Sequence, residues 1–366
     1  MKRLFKKKSA VGLAGQSLDS MMWRRFRRNP LSVASLVVIG LFALVAVLGY
    51  LITPDPTPHC NQQYLELATL KPGSRATFLC TENKEEGEKK SQFSIFNFQL
   101  HGKPLPYTAT PIIKYERARD SLLCTPYNGD PFAVDASKAT VKERTFLLGT
   151  DAYGRDVLSM LMIGSRVSLS VGFIAILIAL LLGITLGALA AYRGGWVDNL
   201  ILWLINVVWS IPTVLLVIAI TFVLGKGFWQ IFVAVGLTMW VDIARVVRGE
   251  VLSIKEKEYV EATRALGYGT FRTLFRHVLP NILGAVVVVA ASNFASAILL
   301  EAGLSFLGIG VQPPMPSWGM MVKENYGYLL LDSAYLALLP GACIMLVVLA
   351  FMLLAGGLRD ALDVKQ

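Results

Sequence analysis

The sequence predicts an all-α polytopic membrane protein: six transmembrane helices, both termini cytoplasmic, and a small extracytoplasmic insertion after the first helix. Three observations carry this. Of 366 residues, 54% are hydrophobic and only 16% charged, against about 45–50% and about 25% in a soluble domain. The apolar surplus is gathered into runs of about 20 residues, each long enough to cross a hydrocarbon core of about 30 Å. The net charge of +10 is spread unevenly, and basic flanks of a span mark its cytoplasmic side. An ordinary soluble enzyme, a disordered chain and a secreted disulfide scaffold are excluded.

Lys2, Arg3, Lys6, Lys7, Lys8, Arg24, Arg25, Arg27 and Arg28 precede the first apolar run, opposed by Asp19 alone. Their position beside a span assigns 1–30 to the cytoplasm as a basic segment, in preference to a nucleic-acid tail. The first span is 31–53. Its length and the spans downstream make it a retained anchor and not a cleaved signal. The remaining spans are 167–192, 199–224, 228–240, 282–300 and 334–354, the fourth borrowing 241–247 to reach the surface. Six spans return the C-terminus to the cytoplasm, leaving 55–166 and 308–333 outside. Inside lie 193–198, 242–281 and the tail from 359. Arg245, Arg248, Lys255, Lys257, Arg264, Arg272 and Arg276 give 242–281 a basic excess, whereas 55–147 is close to balanced. The predicted units are therefore 1–30, a first helix 31–54, an insertion 55–147 and a five-helix core 148–366 with a cytoplasmic elbow at 256–280.

Small residues at four-residue spacing let helices approach closely in lipid. Gly183 and Gly187 form such a pair in the second span, with bundle packing as their expected use. A translocation path needs polar groups turned inward. Ser292, Asn293 and Ser296 supply candidates, and Glu301, at the outer end of the fifth span, is an acid near a membrane interior, where acids are costly.

The most informative stretch is 258–281, EYVEATRALGYGTFRTLFRHVLPN. Helix-forming residues run from Glu258 to Leu266, and Gly267 and Gly269 then permit a tight turn. A second amphipathic piece, 270–278, leads to Leu279-Pro280, with Pro in the first turn of the next span. The product is a helix–turn–helix elbow. Its spacing is Glu261-Ala262-Thr263, three residues, Gly267, nine residues, then His277-Val278-Leu279-Pro280. This resembles the EAA loop of ABC-importer permeases, whose short helix docks into a groove on the ATPase subunit. Thr263 replaces the usual Ala, and His277 stands where the broad pattern has an aliphatic residue.

Three further segments narrow the resemblance. Trp23-Arg24-Arg25-Phe26-Arg27-Arg28-Asn29-Pro30 resembles the entry sequence of the peptide-transport branch. Leu148-Gly149-Thr150-Asp151-Ala152-Tyr153-Gly154-Arg155-Asp156 is similar to the approach to its second span. Leu304-Ser305-Phe306-Leu307-Gly308, with Pro313-Pro314 and Pro316-Ser317-Trp318-Gly319 beyond it, resembles its outer loop. Together these cover nearly all of 20–55 and 147–366. They match the C-type permease of dipeptide, oligopeptide and nickel importers. The resemblance implies a bacterial inner-membrane subunit working by alternating access. Its implied partners are a second (B-type) permease, two ABC ATPase subunits, an extracytoplasmic solute-binding protein and the lipid bilayer, with no nucleic acid. ATP and Mg would be bound on the ATPases, and no cofactor by this chain. Glu261, Ala262, Thr263 and Gly267 would dock and turn, and Leu279 and Pro280 would pass motion to the fifth span.

Read for themselves, Thr150 and Asp151 can cap a helix start, and Arg155 can pair with a nearby carboxylate. Trp318 suits the water–lipid boundary. No GxxxxGK[ST], CxxC, HExxH or GxSxG is present, so neither a phosphate cradle nor a catalytic constellation is expected. His59, His101 and His277 are too scattered for a metal site. The insertion is the unexplained part. Its 81–92 is charge-dense, 93–100 has strand character, 101–104 reads as a turn and 111–115 can return, giving a small β-rich subdomain. It is expected to contact the solute-binding protein or the partner permease, or to be a surface decoration. An oxidising exterior permits one disulfide among Cys60, Cys80 and Cys124, in any of three pairings. The substrate stays open between peptides, nickel and another small solute. A membrane scaffold or receptor using the insertion is the rival from another class, and it leaves the elbow without a purpose.

Overall fold

A computed structural model of the chain describes residues 18–82, 98–99, 101–118, 120–225 and 227–362. The first seventeen residues with their basic cluster, the charge-dense 83–92 and most of the expected strand at 93–100 lie outside the described residues. Phe98 and Gln99, within that expected strand, are in helical conformation instead.

Helix α1 (Leu18–Arg28) leads to α2 (Pro30–Leu48). The junction follows from its residue types. Asn29 Oδ1 accepts from the N–H groups of Leu31 and Ser32 at 3.1 and 3.4 Å, and Pro30 sits where a helix needs no donor. After the insertion come α3 (Val157–Arg193), α4 (Gly195–Ser210), α5 (Thr213–Leu224), α6 (Phe228–Lys255), α7 (Glu258–Ala265), α8 (Thr270–Phe306), α9 (Trp318–Asn325) and α10 (Tyr335–Leu362). Five of these stretches are long and apolar enough to span a membrane, and α4 with α5 makes a sixth only as a broken pair.

That break corrects the expected span 199–224. The two helices meet at 96°. Pro212 has no N–H to give the Val208 carbonyl, and its ring holds Ile211 extended (φ −94°, ψ 128°). A second correction concerns the fourth span. The helix continues without interruption to Lys255, so Asp242 lies midway along α6 and not on an inner loop.

Helices α3 and α6 form the centre of the bundle. Gly183 and Gly187 let them touch: a Cβ on Gly183 would lie 2.6 Å from Ile243 Cβ, and one on Gly187 would strike the Ala244 carbonyl oxygen. The pair therefore serves packing within the chain. Nearer the elbow, Arg248 forks onto Asp198 with both N–O distances at 2.6 Å, tying α6 to α4. Lys255 Nζ lies 3.3 Å from the Ala191 and Tyr192 carbonyls and satisfies the C-terminal end of α3.

The insertion is β-rich. Strands β1 (Ser74–Glu82), β2 (Tyr107–Ala118), β3 (Ser121–Pro126), β4 (Phe132–Asp135) and β5 (Ala139–Phe146) form an antiparallel sheet in the order β4-β3-β2-β1-β5. Alternation along β1 sends Ala76, Phe78 and Cys80 into one apolar cluster and Leu79 into another with Ile112 and Cys124. Cys60 sits in a third, against α3. All three thiols are free, which corrects the expected disulfide: each fills a different core. Burial, reinforced by Asp55, pushes the Cys60 thiol far above its ordinary value.

The segment 148–156 clamps the sheet to the bundle. Thr150 Oγ1 accepts from Leu70 N at 2.9 Å and donates to the Leu67 carbonyl. Asp156, and not Thr150 or Asp151, is the N-cap of α3, accepting from Ser159 N at 3.1 Å. Asp151 instead holds Arg155, whose guanidinium also meets Glu324 of α9 at 2.5 Å. Burial opposes the Arg155 charge, but Asp151 and Glu324 outweigh it and hold its pKa above the usual value. Trp318 is also corrected. It is fully buried, its indole N–H donates to the Leu161 carbonyl at 3.0 Å, and its ring lies against Gly164 and Phe42.

Removing one member of a buried ion pair costs about 3–5 kcal/mol because its partner is left charged and unpaired. Arg155→Ala should therefore loosen the outer loop. Limited proteolysis of membranes is expected to cut within 308–333 at protease levels that spare the parent. An unchanged digestion pattern would show that the pairs contribute nothing there.

Candidate functional site

The elbow is built from α7 and the first turns of α8. α7 ends in a Schellman-type cap: Leu266 N–H closes the last α turn onto the Ala262 carbonyl at 3.0 Å, and Tyr268 N–H reaches back to the Thr263 carbonyl at 3.0 Å. Gly267 occupies the position this cap requires in the left-handed region, φ +79°. The Thr at the expected Ala position is accommodated. Thr263 is buried, its hydroxyl donates to the Val260 carbonyl at 2.7 Å, and it stands 3.4 Å from the hydroxyl of Thr273.

Instead of two pieces joined at Leu279-Pro280, the chain from Thr270 runs as one helix into the span. A π segment, Leu274–Val278, makes this possible: Leu279 N–H bonds the Leu274 carbonyl, one residue beyond the α register. The wider turn accepts the ring and the missing donor of Pro280 without ending the helix. His277 packs beside Tyr268, ring centroids 6.0 Å apart.

The elbow has two faces. Val260 and Val278 are fully buried in the same core as Val247 and Val251 of α6. Glu261, Ala262 and Gly267 are exposed. Beside them stand Leu266 at 73% and Phe271 at 78% exposure, with Phe275 stacked on Phe271. The inner face is fixed to the bundle, while the outer face offers apolar area beside the carboxylates of Glu258 and Glu261.

Above the elbow, α6 and α8 present a face with two cavities. One of about 320 Å³ is lined by Trp209, Thr213, Thr238, Asp242, Asn293 and Ser296 among others. The other, about 600 Å³ and nearer the elbow, takes in Glu250, Asn281, Ser292 and Arg359. Asn293 and Ser296 thus share a cavity, and Ser292 belongs to its neighbour. Glu301 departs from the path expectation. It is fully buried, accepts from Ser168 at 3.1 Å and Ser305 at 2.8 Å, and lies outside both cavities. Its partners tie α3, α8 and the outer loop, since Ser305 also receives Val311 N–H at 3.1 Å.

Residues 183–365, half of the chain, match the family described as the binding-protein-dependent transport system inner membrane component. The chain belongs to that family. The matched stretch contains the elbow and every helix that lines the two cavities. Residues 17–72 match the N-terminal TM domain of oligopeptide transport permease C. The glutathione transport system permease protein GsiD of Pectobacterium atrosepticum is 41% identical over 218 residues, 60% of this chain and 72% of that one. The dipeptide transport system permease protein DppC of Alkalihalophilus pseudofirmus is 42% identical over 218 residues, 60% and 71% of the two chains. The oligopeptide transport system permease protein OppC of Bacillus subtilis is 38% identical over 232 residues, 63% and 75%. As a binding-protein-dependent inner membrane component, this chain is a permease subunit of an ABC importer and not an enzyme; the ATPase is a separate subunit.

Sequence reasoning missed Asp242 and Trp209. Reading 241–247 only as the stretch that carries the fourth span to the surface puts Asp242 at the membrane edge, whereas the helix runs on to Lys255; Trp209 gained meaning only from the break beside it. The signal was present in Pro212, which forbids a straight third span.

Proposed function

We propose that this chain is the C-type permease of a peptide importer, with six spans, one of them broken, and both termini cytoplasmic. A B-type permease completes the path across the α6–α8 face. Two ABC ATPases, carrying ATP and Mg, dock on the elbows, and a solute-binding protein delivers peptide from outside. The chain divides at 1–30, 31–54, 55–147 and 148–366, with the insertion facing the solute-binding protein or the partner permease. The names of the relatives, which transport glutathione, dipeptides and oligopeptides, support peptides as substrates.

One observation carries the coupling role: the elbow is anchored by Val260, Thr263 and Val278 yet leaves Glu261, Ala262, Leu266 and Phe271 outside. A helix held in this way transmits force from whatever grips its outer face. Because α8 is unbroken from Thr270, displacement of the elbow passes Leu279 and Pro280 directly into the span, rocking it between two packings.

Ala262→Cys supplies the test. In membranes containing the assembled transporter, a thiol–thiol cross-linker should join this residue to an ATPase subunit bearing a cysteine in its docking groove. The yield should change between nucleotide-free and ATP-bound states. Absence of any cross-link to an ATPase would refute the docking role.

A further inference from the structure

The 96° break between α4 and α5 opens the smaller cavity against α6 and α8. Irregular backbone at membrane depth is tolerated where it is buried or lines a water-filled space. Three polar groups of this wall share one property. Thr238 Oγ1 donates to the Val235 carbonyl at 2.8 Å, and Ser296 Oγ to the Ser292 carbonyl at 3.4 Å. Asn293 Nδ2 donates to the Met239 carbonyl at 3.3 Å. In each case a donor is turned back on its own backbone or the neighbouring helix, which leaves the side-chain oxygen with lone pairs free to accept.

Asp242 completes this wall. Its Oδ1 accepts from Trp209 Nε1 at 3.1 Å, and among the described residues it makes no ion pair. Arg245, one turn away, lays its guanidinium over the Trp209 ring at 3.5 Å rather than on the carboxylate. An acid midway along a spanning helix, held in orientation by Trp209 and in no ion pair among the described residues, is costly unless something uses it.

We propose that Asp242, with Asn293, Thr238 and Ser296, forms a transient site for the free amino terminus of a passing peptide. A primary ammonium offers three donors and one positive charge, the complement of hydroxyl and amide oxygens grouped around one carboxylate. The volume of about 320 Å³ is at the small end of ligand pockets, about 300–1,000 Å³, enough for the first residue of a peptide. The half-open position and a single carboxylate let the group leave again. This proposal rests on the peptide-importer assignment above and specifies what its path recognises.

The test uses the assembled transporter in membrane vesicles, with Ser296→Cys in a Cys343→Ala background. A cationic and an anionic methanethiosulfonate of similar size are reacted with it, each rate divided by that of the same reagent with a small thiol in water. The cationic reagent is expected to be favoured at least tenfold. Asp242→Asn, which keeps an acceptor for Trp209, should bring the ratio close to one. A saturating dipeptide with a free amino terminus should slow labelling, and its N-acetylated form should not. A ratio near one in the parent, a ratio unmoved by Asp242→Asn, or equal protection by both peptides would overturn the ammonium site while leaving the path in place. Labelling by neither reagent would remove Ser296 from any aqueous path, and the assignment of this face would fall with the proposal.

Discussion

Gly267→Val is expected to leave ATP hydrolysis running in the assembled transporter while uptake falls roughly tenfold, the factor that about 1.4 kcal/mol represents. The cause lies in the backbone alone. A Cβ at Gly267 would meet nothing within 4 Å, but the residue sits at φ +79°, where a residue with a Cβ costs about 1–2 kcal/mol and a β-branched one more. The Schellman cap would open, and α7 would lose its fixed angle to α8. Because Val260 and Thr263 hold one side of the elbow, the outer face would still exist but would no longer move with the span. The series separates strain from bulk: Asn, which tolerates the left-handed region, should be mild, Ala intermediate and Val severe. Paired measurements of ATP hydrolysis and solute uptake on reconstituted complexes check this. Undiminished uptake in the Val variant would refute coupling through a rigid elbow.

Gly187→Val should have the larger effect on the fold itself. Its Cβ would meet the Ala244 carbonyl oxygen, a backbone atom that cannot swing aside, and Val247 Cβ at 3.0 Å. Overpacking a tight core costs about 1–3 kcal/mol where side chains can give way. Here two helices must separate along the centre of the bundle, so the upper end of that range or beyond is expected. Thermal unfolding of the detergent-purified complex should drop sharply, or the complex should fail to accumulate. Gly249, on the same helix as Ala244, has open space around it, and Gly249→Ala should be neutral or slightly stabilising by helix propensity. Equal behaviour of the two variants would mean that the α3–α6 contact does not limit stability.

Local chemistry made parts of the molecule legible in the sequence. The Gly267 turn depends on residues adjacent in the chain and has the expected geometry, and the Asn29-Pro30 start of α2 is equally local in its cause. The spans were legible as apolar runs, because hydropathy needs no knowledge of neighbours. One failure, the straight span 199–224, overlooks a local signal in Pro212; the others are cases in which distant groups decide. Glu301 is satisfied by Ser168 from another helix, so it serves as a tie and lines neither cavity. Trp318 is drawn inside by the slot that Gly164 leaves, overriding its preference for an interface. Cys60, Cys80 and Cys124 share a segment but enter three cores set by the pleat of β1 and by the packing on α3. Asp242 was placed at the membrane edge because hydropathy carries the fourth span no further than 247, while the helix, packed against α3, continues to Lys255.

Import of peptides driven through the elbow is tested most directly by uptake of a labelled tripeptide, with radioactive nickel in parallel, in cells with and without this gene. Peptide uptake should be lost in the deletion strain and restored by the wild-type chain but not by Gly267→Val, with nickel uptake unchanged throughout. Peptide uptake that survives the deletion, in cells where no other peptide importer is present, would contradict it.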